Sequence, residues 1–201
     1  VDDQDLATKK WIYDNFLNRD SNYQYISSTN PTTGANNTAV GTNALYANTV
    51  GVGNAALGGN ALVSNLSGNY NVAIGQSALT NNLSGSNNVA IGLNSLFYHT
   101  SSIRNVAIGQ YSQQGTGAGL VLSCDNFSVG YGSLKCNLTG CSNVAIGLNS
   151  LQANQNGHHN IAVGCSAMYS NTGGCYNVAL GVSMCSNTSG SQNFAAGYGA
   201  L

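Results

Sequence analysis

Valine or isoleucine alternates with alanine in a short motif that recurs along most of the chain. The sequence NVAIG occupies residues 71–75, 105–109 and 143–147, and the variants NTAVG, NIAVG and NVALG occupy 37–41, 160–164 and 177–181. Alternation with a period of two is typical of β-strands, in which successive side chains point to opposite faces. Each copy therefore predicts one short strand.

The motif returns at a nearly fixed spacing. The Asn that opens it stands at Asn37, Asn54, Asn71, Asn88, Asn105, Asn126, Asn143, Asn160, Asn177 and Asn193. Successive positions differ by 17, except for a difference of 21 after Asn105 and a last one of 16. Helical repeats need about 33 residues or more. The sequence therefore predicts an all-β fold, a parallel β-solenoid (β-roll) of about ten 17-residue coils over residues 34–201.

Equivalent residues of successive coils form rows along the axis, and the residue types predict which rows face the core. We expect the Val and Ile rows, such as Val72 and Ile74, to form the core, and the Ala row to face a second packing surface. A second strand is expected at the Ala-Leu pair that follows, such as Ala78-Leu79, with Leu completing the core. Glycine, which adopts positive φ at no steric cost, is expected at the corners.

The recurring Asn has two alternative roles. A side-chain amide both donates and accepts hydrogen bonds, so identical amides stacked about 4.8 Å apart can bond along the axis. Alternatively, each Asn adopts a left-handed conformation or caps a turn. We favour a structural ladder formed by the ten Asn residues.

The longer step adds four residues within QYSQQGTGAGLVLSCD, which indicates a loop near Gly115–Gly119. Loops often carry recognition, but a tolerated insertion is the favoured interpretation.

Two parts of the sequence resemble known families. The N-V-A-I-G motif with its trailing Ala or Ser resembles the head repeats of trimeric autotransporter adhesins, and the period of 17 with Ala-Leu-x-x-Asn looks more like fibre-like proteins of bacteriophages and large DNA viruses. The segment DLATKKWIYDNF at 5–16 is similar to the L-A-T-K-x-Y-V-D segment of phage tail-fibre proteins, with Trp11-Ile12 in place of Tyr-Val.

This resemblance implies a homotrimer. Residues 1–33 would form an N-terminal helical stalk, or trimerisation segment, and a linker, with a short helix over residues 5–18. A lone helix of this length is marginal in water, so packing three together would explain it. The Ala row would then pack against partner chains.

Charge is scarce and unevenly distributed. Only 5% of the residues are charged, against about 25% in an ordinary soluble domain. Residues 34–201 contain Arg104, Asp125 and Lys135 as their only charged side chains. We therefore expect no nucleic acid as a partner, because phosphate binding needs many Lys and Arg contacts. No apolar run of about 18 residues is present, so no membrane insertion is expected.

Catalytic chemistry is not expected. Glycosidases usually need a pair of carboxylates, and Asp125 is the single acid in the repeats. We predict no enzyme activity, no catalytic residues, no cofactor and no metal site.

The cysteines share a register with one histidine. Cys124, Cys141, His158 and Cys175 all stand two places before the motif Asn. Neighbours about 4.8 Å apart fall within disulfide range, and Cys and His are zinc ligands. Reduced or structural thiols are favoured, with a Cys124–Cys141 disulfide and a metal as alternatives. Cys185 is assigned to the Leu position of its coil.

These observations favour a structural, fibre-like protein of a virion or extracellular surface, with attachment to a host-surface receptor or glycan as a further role. The alternative is a bacterial trimeric adhesin head. An ice-binding solenoid is disfavoured because no T-x-T column exists. A polysaccharide-cleaving spike is disfavoured by the missing carboxylate pair.

Overall fold

The repeats form one continuous parallel sheet. The computed structural model describes residues 34–117 and 121–201. In order, the strands are β1 (Thr38–Val40), β2 (Ala55–Leu57), β3 (Val72–Ile74), β4 (Val89–Ile91), β5 (Val106–Ile108), β6 (Phe127–Val129), β7 (Val144–Ile146), β8 (Ile161–Val163), β9 (Val178–Leu180) and β10 (Phe194–Ala196). Each pairs in parallel with the next in sequence. The predicted all-β solenoid is confirmed, with about nine turns.

The register places equivalent residues directly over one another. Val72 pairs with Val89, and Ala73 with Ala90, one repeat later. The longer coil keeps this register, because Val106 pairs with Phe127 across the insertion. The extra residues therefore leave the sheet undisturbed, as a tolerated insertion should.

The predicted stalk and helix at residues 1–33 lie outside the described residues, as do residues 118–120 of the predicted loop. Among the described residues, no helix is long and apolar enough to cross a membrane.

The assignment of the core rows was wrong. The strand Ala residues, such as Ala73 and Ala90, have no exposed surface, whereas Ile74 is 38% exposed. The Ala row therefore lines the interior, and the Val and Ile rows face outward. The physical reason is the width of the coil. The opposite wall of most coils sends a buried Leu or Met across the interior, which leaves room only for a small side chain on the strand.

The second predicted strand was also wrong. Residues around Ala78-Leu79 form turns rather than a strand, and Leu79 has φ 52°. The coils still bond to each other there, since the Leu62 N–H donates to the Ala78 carbonyl at 3.0 Å. Leu nevertheless completes the core, as predicted. Leu or Met holds this buried column at Leu45, Leu62, Leu79, Leu96, Leu134, Leu151, Met168 and Met184.

Two positions in this column differ from expectation. Met184, not Cys185, occupies the Leu position of the short coil, because Met184 is fully buried and Cys185 is half-buried. In the coil with the insertion the position belongs to Gln113, which is fully buried. Its amide Nε2 donates to Ser128 Oγ at 2.9 Å. The interior is therefore locally polar beside the insertion.

Glycine closes the corner after each strand. At Gly75, φ is +127°, and a Cβ placed there would lie 2.8 Å from the carbonyl carbon of Gly92 in the next coil. Only glycine fits, because the backbones of successive coils touch at this point. The predicted role of glycine at the corners is confirmed.

Candidate interaction surface

The outward side chains of β1–β10 form an apolar surface, here called the sheet face. Its first row is Thr38, Ala55, Val72, Val89, Val106, Phe127, Val144, Ile161, Val178 and Phe194, and its second row is Val40, Leu57, Ile74, Ile91, Ile108, Val129, Ile146, Val163, Leu180 and Ala196. All are exposed or half-buried. Phe194 is 68% and Leu57 49% exposed. Thr38 is the single polar member, and none is charged.

The size of the sheet face sets it apart from scattered surface residues. Strands lie about 4.8 Å apart, so ten of them extend over about 43 Å. Two side chains on the same face of a strand span about 10 Å, which gives a projected area of about 400 Å². Apolar patches of about this size are the largest found on monomers and are often functional. Sequence reasoning missed this surface because it placed these rows inside.

The ten predicted ladder residues form one continuous column inside the coil. The Asn54 Oδ1 accepts both the Asn71 N–H at 2.9 Å and the Asn71 Nδ2 at 3.1 Å. The Asn71 Nδ2 also donates to the Gly85 carbonyl at 2.8 Å. The column continues through the longer step, where Asn126 Nδ2 donates to Asn105 Oδ1 at 3.0 Å. The amides thus bond along the axis.

A second buried amide column runs along the turns. It contains Asn48, Asn65, Asn82, Asn137, Asn154 and Asn171. Asn65 Nδ2 donates to Asn48 Oδ1 at 2.7 Å and to the Gly68 carbonyl at 3.0 Å. A Cβ on Gly68 would contact Asn65 Oδ1, so this column requires Gly three places after each Asn.

His99 interrupts the second column beside the insertion. The residue three places later is Ser102 instead of Gly, and its Oγ lies 2.8 Å from His99 Nδ1. Ser123 Oγ is 3.2 Å from the same nitrogen. Burial lowers the pKa of His99 to about 4, partly offset by the polar backbone of Gln113. His99 Nε2 and Asn82 Oδ1 are both buried without a hydrogen-bond partner among the described residues.

The cysteine column divides into two pairs. Cys124 and Cys141 form a disulfide, with Cα atoms 4.8 Å apart. This is one of the alternatives that the sequence left open. Farther along, Cys175 Sγ lies 3.3 Å from His158 Nδ1. In the part of the chain that the structure describes, no group of three or more His, Cys, Asp or Glu residues is placed to hold a metal.

The repeats have one ion pair among the described residues. Arg104 Nε and Nη2 donate to the two Asp125 carboxylate oxygens at 2.6 and 2.9 Å. The bond to Arg104 lowers the pKa of the Asp125 carboxyl. Because both side chains are exposed, the pair adds little stability. It joins successive coils across the longer step. Both carboxylate oxygens of Asp125, the single acid of the repeats, are bonded to Arg104.

Comparison of the chain with protein-family models, with curated proteins and with solved structures finds no match. The resemblance to adhesin heads and viral fibres therefore stays a prediction.

Proposed function

We propose that this chain is a structural, fibre-like module that assembles with copies of itself through the sheet face, at a virion or extracellular surface. The observation that carries the proposal is the uncharged apolar surface of β1–β10. Burial of apolar area contributes about 25 cal/mol per Å². Covering a face of this size is therefore favourable.

A second copy suits the sheet face better than an irregular partner. Each copy offers the same two rows at the same strand spacing, and flat sheets pack face to face about 10 Å apart. The resemblance to trimeric fibres supports three copies. The Ala row is buried within each chain, so we expect the contact between copies at the Val and Ile rows instead.

Attachment to a host-surface receptor or glycan is the further role proposed for the assembled fibre. Several exposed Tyr side chains lie outside the two rows of the sheet face. Tyr46 is 80%, Tyr70 63% and Tyr176 54% exposed. Tyr combines an apolar ring with a polar tip, which suits contact with sugars or proteins.

The test is the mass in solution by light scattering on a sizing column. We expect the wild type at three times the mass of a single chain. A double variant, Ile74→Lys with Ile108→Lys, places two charges on the sheet face and should yield single chains, because burying unpaired charges is unfavourable.

The matched control is Gln76→Lys with Gln110→Lys. These residues are exposed, lie two places after Ile74 and Ile108, and add the same charge off the sheet face. The control should keep the wild-type mass. A single-chain wild type, or equal effects of the two double variants, would contradict the proposal.

A further inference from the structure

The column position of Cys175 holds a hydrogen-bond acceptor in several coils. There, a side chain accepts the backbone N–H of the preceding coil. Asn69 Oδ1 accepts from the Val52 N–H at 2.8 Å, and Ser86 Oγ accepts from the Asn69 N–H at 2.9 Å. In the Cys175 coil the acceptor is sulfur, which lies 3.4 Å from the His158 backbone nitrogen.

The imidazole of His158 also contacts the Cys175 sulfur. Cys175 Sγ is 3.3 Å from His158 Nδ1, and that nitrogen is 3.4 Å from the Asn156 carbonyl. The His158 ring meets His159 and Tyr176 edge-on at 5.5 and 5.8 Å. These contacts fix the ring beside the thiol. A nucleophile within reach of a base that is itself oriented by other groups is the arrangement of an activated nucleophile.

The site is open to solvent. His158 is exposed and Cys175 is half-buried. A small molecule therefore reaches the sulfur from solvent. By contrast, burial raises the pKa of the Cys136 thiol, partly offset by Lys135. Cys165 is more exposed than Cys175, and its sulfur lies 3.8 Å from the Ser166 hydroxyl rather than beside an imidazole.

We propose that Cys175 is a nucleophilic thiol that exchanges with small-molecule disulfides, with His158 as its proton acceptor. The Cys175 proton passes to His158 Nδ1, and the sulfur attacks one sulfur of the external disulfide. The new S–S bond forms as the old one breaks, and the second sulfur leaves as a thiolate. The incoming disulfide is the oxidant, so the electrons balance. The product is a mixed disulfide on the solenoid surface.

The experiment measures the rate of modification of each free cysteine. The intact protein is treated at pH 7 with oxidised glutathione, or with 5,5′-dithiobis(2-nitrobenzoate), and adducts are assigned by peptide mass. Cys175 should react about tenfold faster than Cys165, although Cys165 is more exposed, because His158 lies within reach to take the Cys175 proton as the sulfur attacks. Cys136 should react most slowly. The Cys175→Ser variant, which keeps an acceptor oxygen as at Ser86 and Ser191, should lose only the fast phase.

Two histidine variants separate chemistry from packing. His158→Gln removes the base and should slow Cys175 about tenfold. His159→Gln removes the neighbouring imidazole, which stacks on Tyr176 at 4.9 Å, and should leave the Cys175 rate within about twofold. Equal rates for Cys175 and Cys165, or equal effects of His158→Gln and His159→Gln, would overturn the proposal. The mass of the assembly plays no part in this result.

Discussion

Left-handed backbone conformations recur at fixed places in the 17-residue coils. The residue before the motif Asn, the residue two after the corner Gly and the core Leu all have φ near +55°, as at Tyr70, Ser77 and Leu79. For residues other than glycine this conformation costs about 1 kcal/mol or more each. Leu79 is fully buried, which offsets the strain. The strain permits the tight corners that so short a coil needs.

Adjacent glycines offer a test of this backbone geometry. At Gly58, φ is +136° and a Cβ would lie 2.6 Å from the Gly75 carbonyl oxygen, whereas a Cβ at Gly59 would meet nothing within 4 Å. Gly58→Ala should destabilise the fold by about 2 to 3 kcal/mol. Gly59→Ala is the control and should change stability by less than about 0.5 kcal/mol. Urea unfolding measures both, and similar midpoints would contradict the argument.

His99 makes stability depend on pH. Its pKa falls from 6.5 to about 4 on folding, so the unfolded chain binds the proton more readily. The stabilisation is present above pH 6.5 and is lost as pH falls toward 4. The total loss is about 3 kcal/mol. Arg104 lowers the pKa of the Asp125 carboxyl below 3.8. Protonation of this carboxyl therefore affects stability only at a lower pH than protonation of His99.

The control for His99 restores the regular repeat. His99→Asn with Ser102→Gly returns Asn and Gly to the positions that Asn82 and Gly85 hold in the preceding coil. The thermal midpoint of this variant should fall much less between pH 7 and pH 4.5 than that of the wild type. His99→Asn alone should be less stable than the double variant, because the Ser102 Cβ would crowd the amide, as a Cβ on Gly85 would crowd Asn82.

The ladder is the element that joins one coil to the next. Asn143 Oδ1 accepts the Asn160 N–H at 3.0 Å and the Asn160 Nδ2 at 3.1 Å. Its own Nδ2 donates to Asn126 Oδ1 at 3.1 Å and to the Gly157 carbonyl at 2.8 Å. Each amide therefore serves three coils. Because this column is buried, each lost bond leaves a group unpaired away from solvent.

Removal of a central amide should be more harmful than removal of a terminal one. Asn143→Ala leaves the Asn160 N–H without an acceptor and should cost about 3 kcal/mol. Asn193→Ala removes a half-buried side chain that bonds to Asn177 at the end of the column, and should cost about 1 kcal/mol. Hydrogen exchange of the strand amides would show local opening around β7 and β8 in the first variant. Equal losses would count against a ladder that carries stability.

At the scale of the molecule, each strand contacts only the strands before and after it. Solenoids of this kind gain stability from nearest-neighbour interfaces. Assembly through the sheet face would add a contact that runs along all ten strands and couples distant coils. Such a contact would make a chain of local interactions unfold as one unit.

The coupling predicts that melting depends on protein concentration. The thermal midpoint should rise with concentration, because only the folded chain assembles, and should exceed about 60 °C, the upper range of ordinary mesophile domains. Scanning calorimetry over a hundredfold concentration range would measure this. Ile74→Lys with Ile108→Lys should abolish the dependence. A concentration-independent midpoint for the wild type would contradict assembly.

The sequence by itself determined the period, the position of the one strand in each coil that carries the N-V-A-I motif, and the register. A residue that must meet its own copy in the next coil reappears at a fixed interval, so Asn71, Asn88 and Asn105 could be aligned without coordinates. The same logic placed Cys124 beside Cys141. Glycine at the corners followed from its access to positive φ.

The tertiary structure alone decided which rows face inward. Alternation assigns Val72 and Ala73 to opposite faces but does not say which face is enclosed. The answer depends on the distance across the coil, which Leu79 and its equivalents fill from the opposite wall. Spacing placed His158 and Cys175 in neighbouring coils of one column, but the approach of His158 Nδ1 to the Cys175 sulfur at 3.3 Å depends on side-chain direction. An apolar row therefore became the outer surface because the interior is too narrow to hold it.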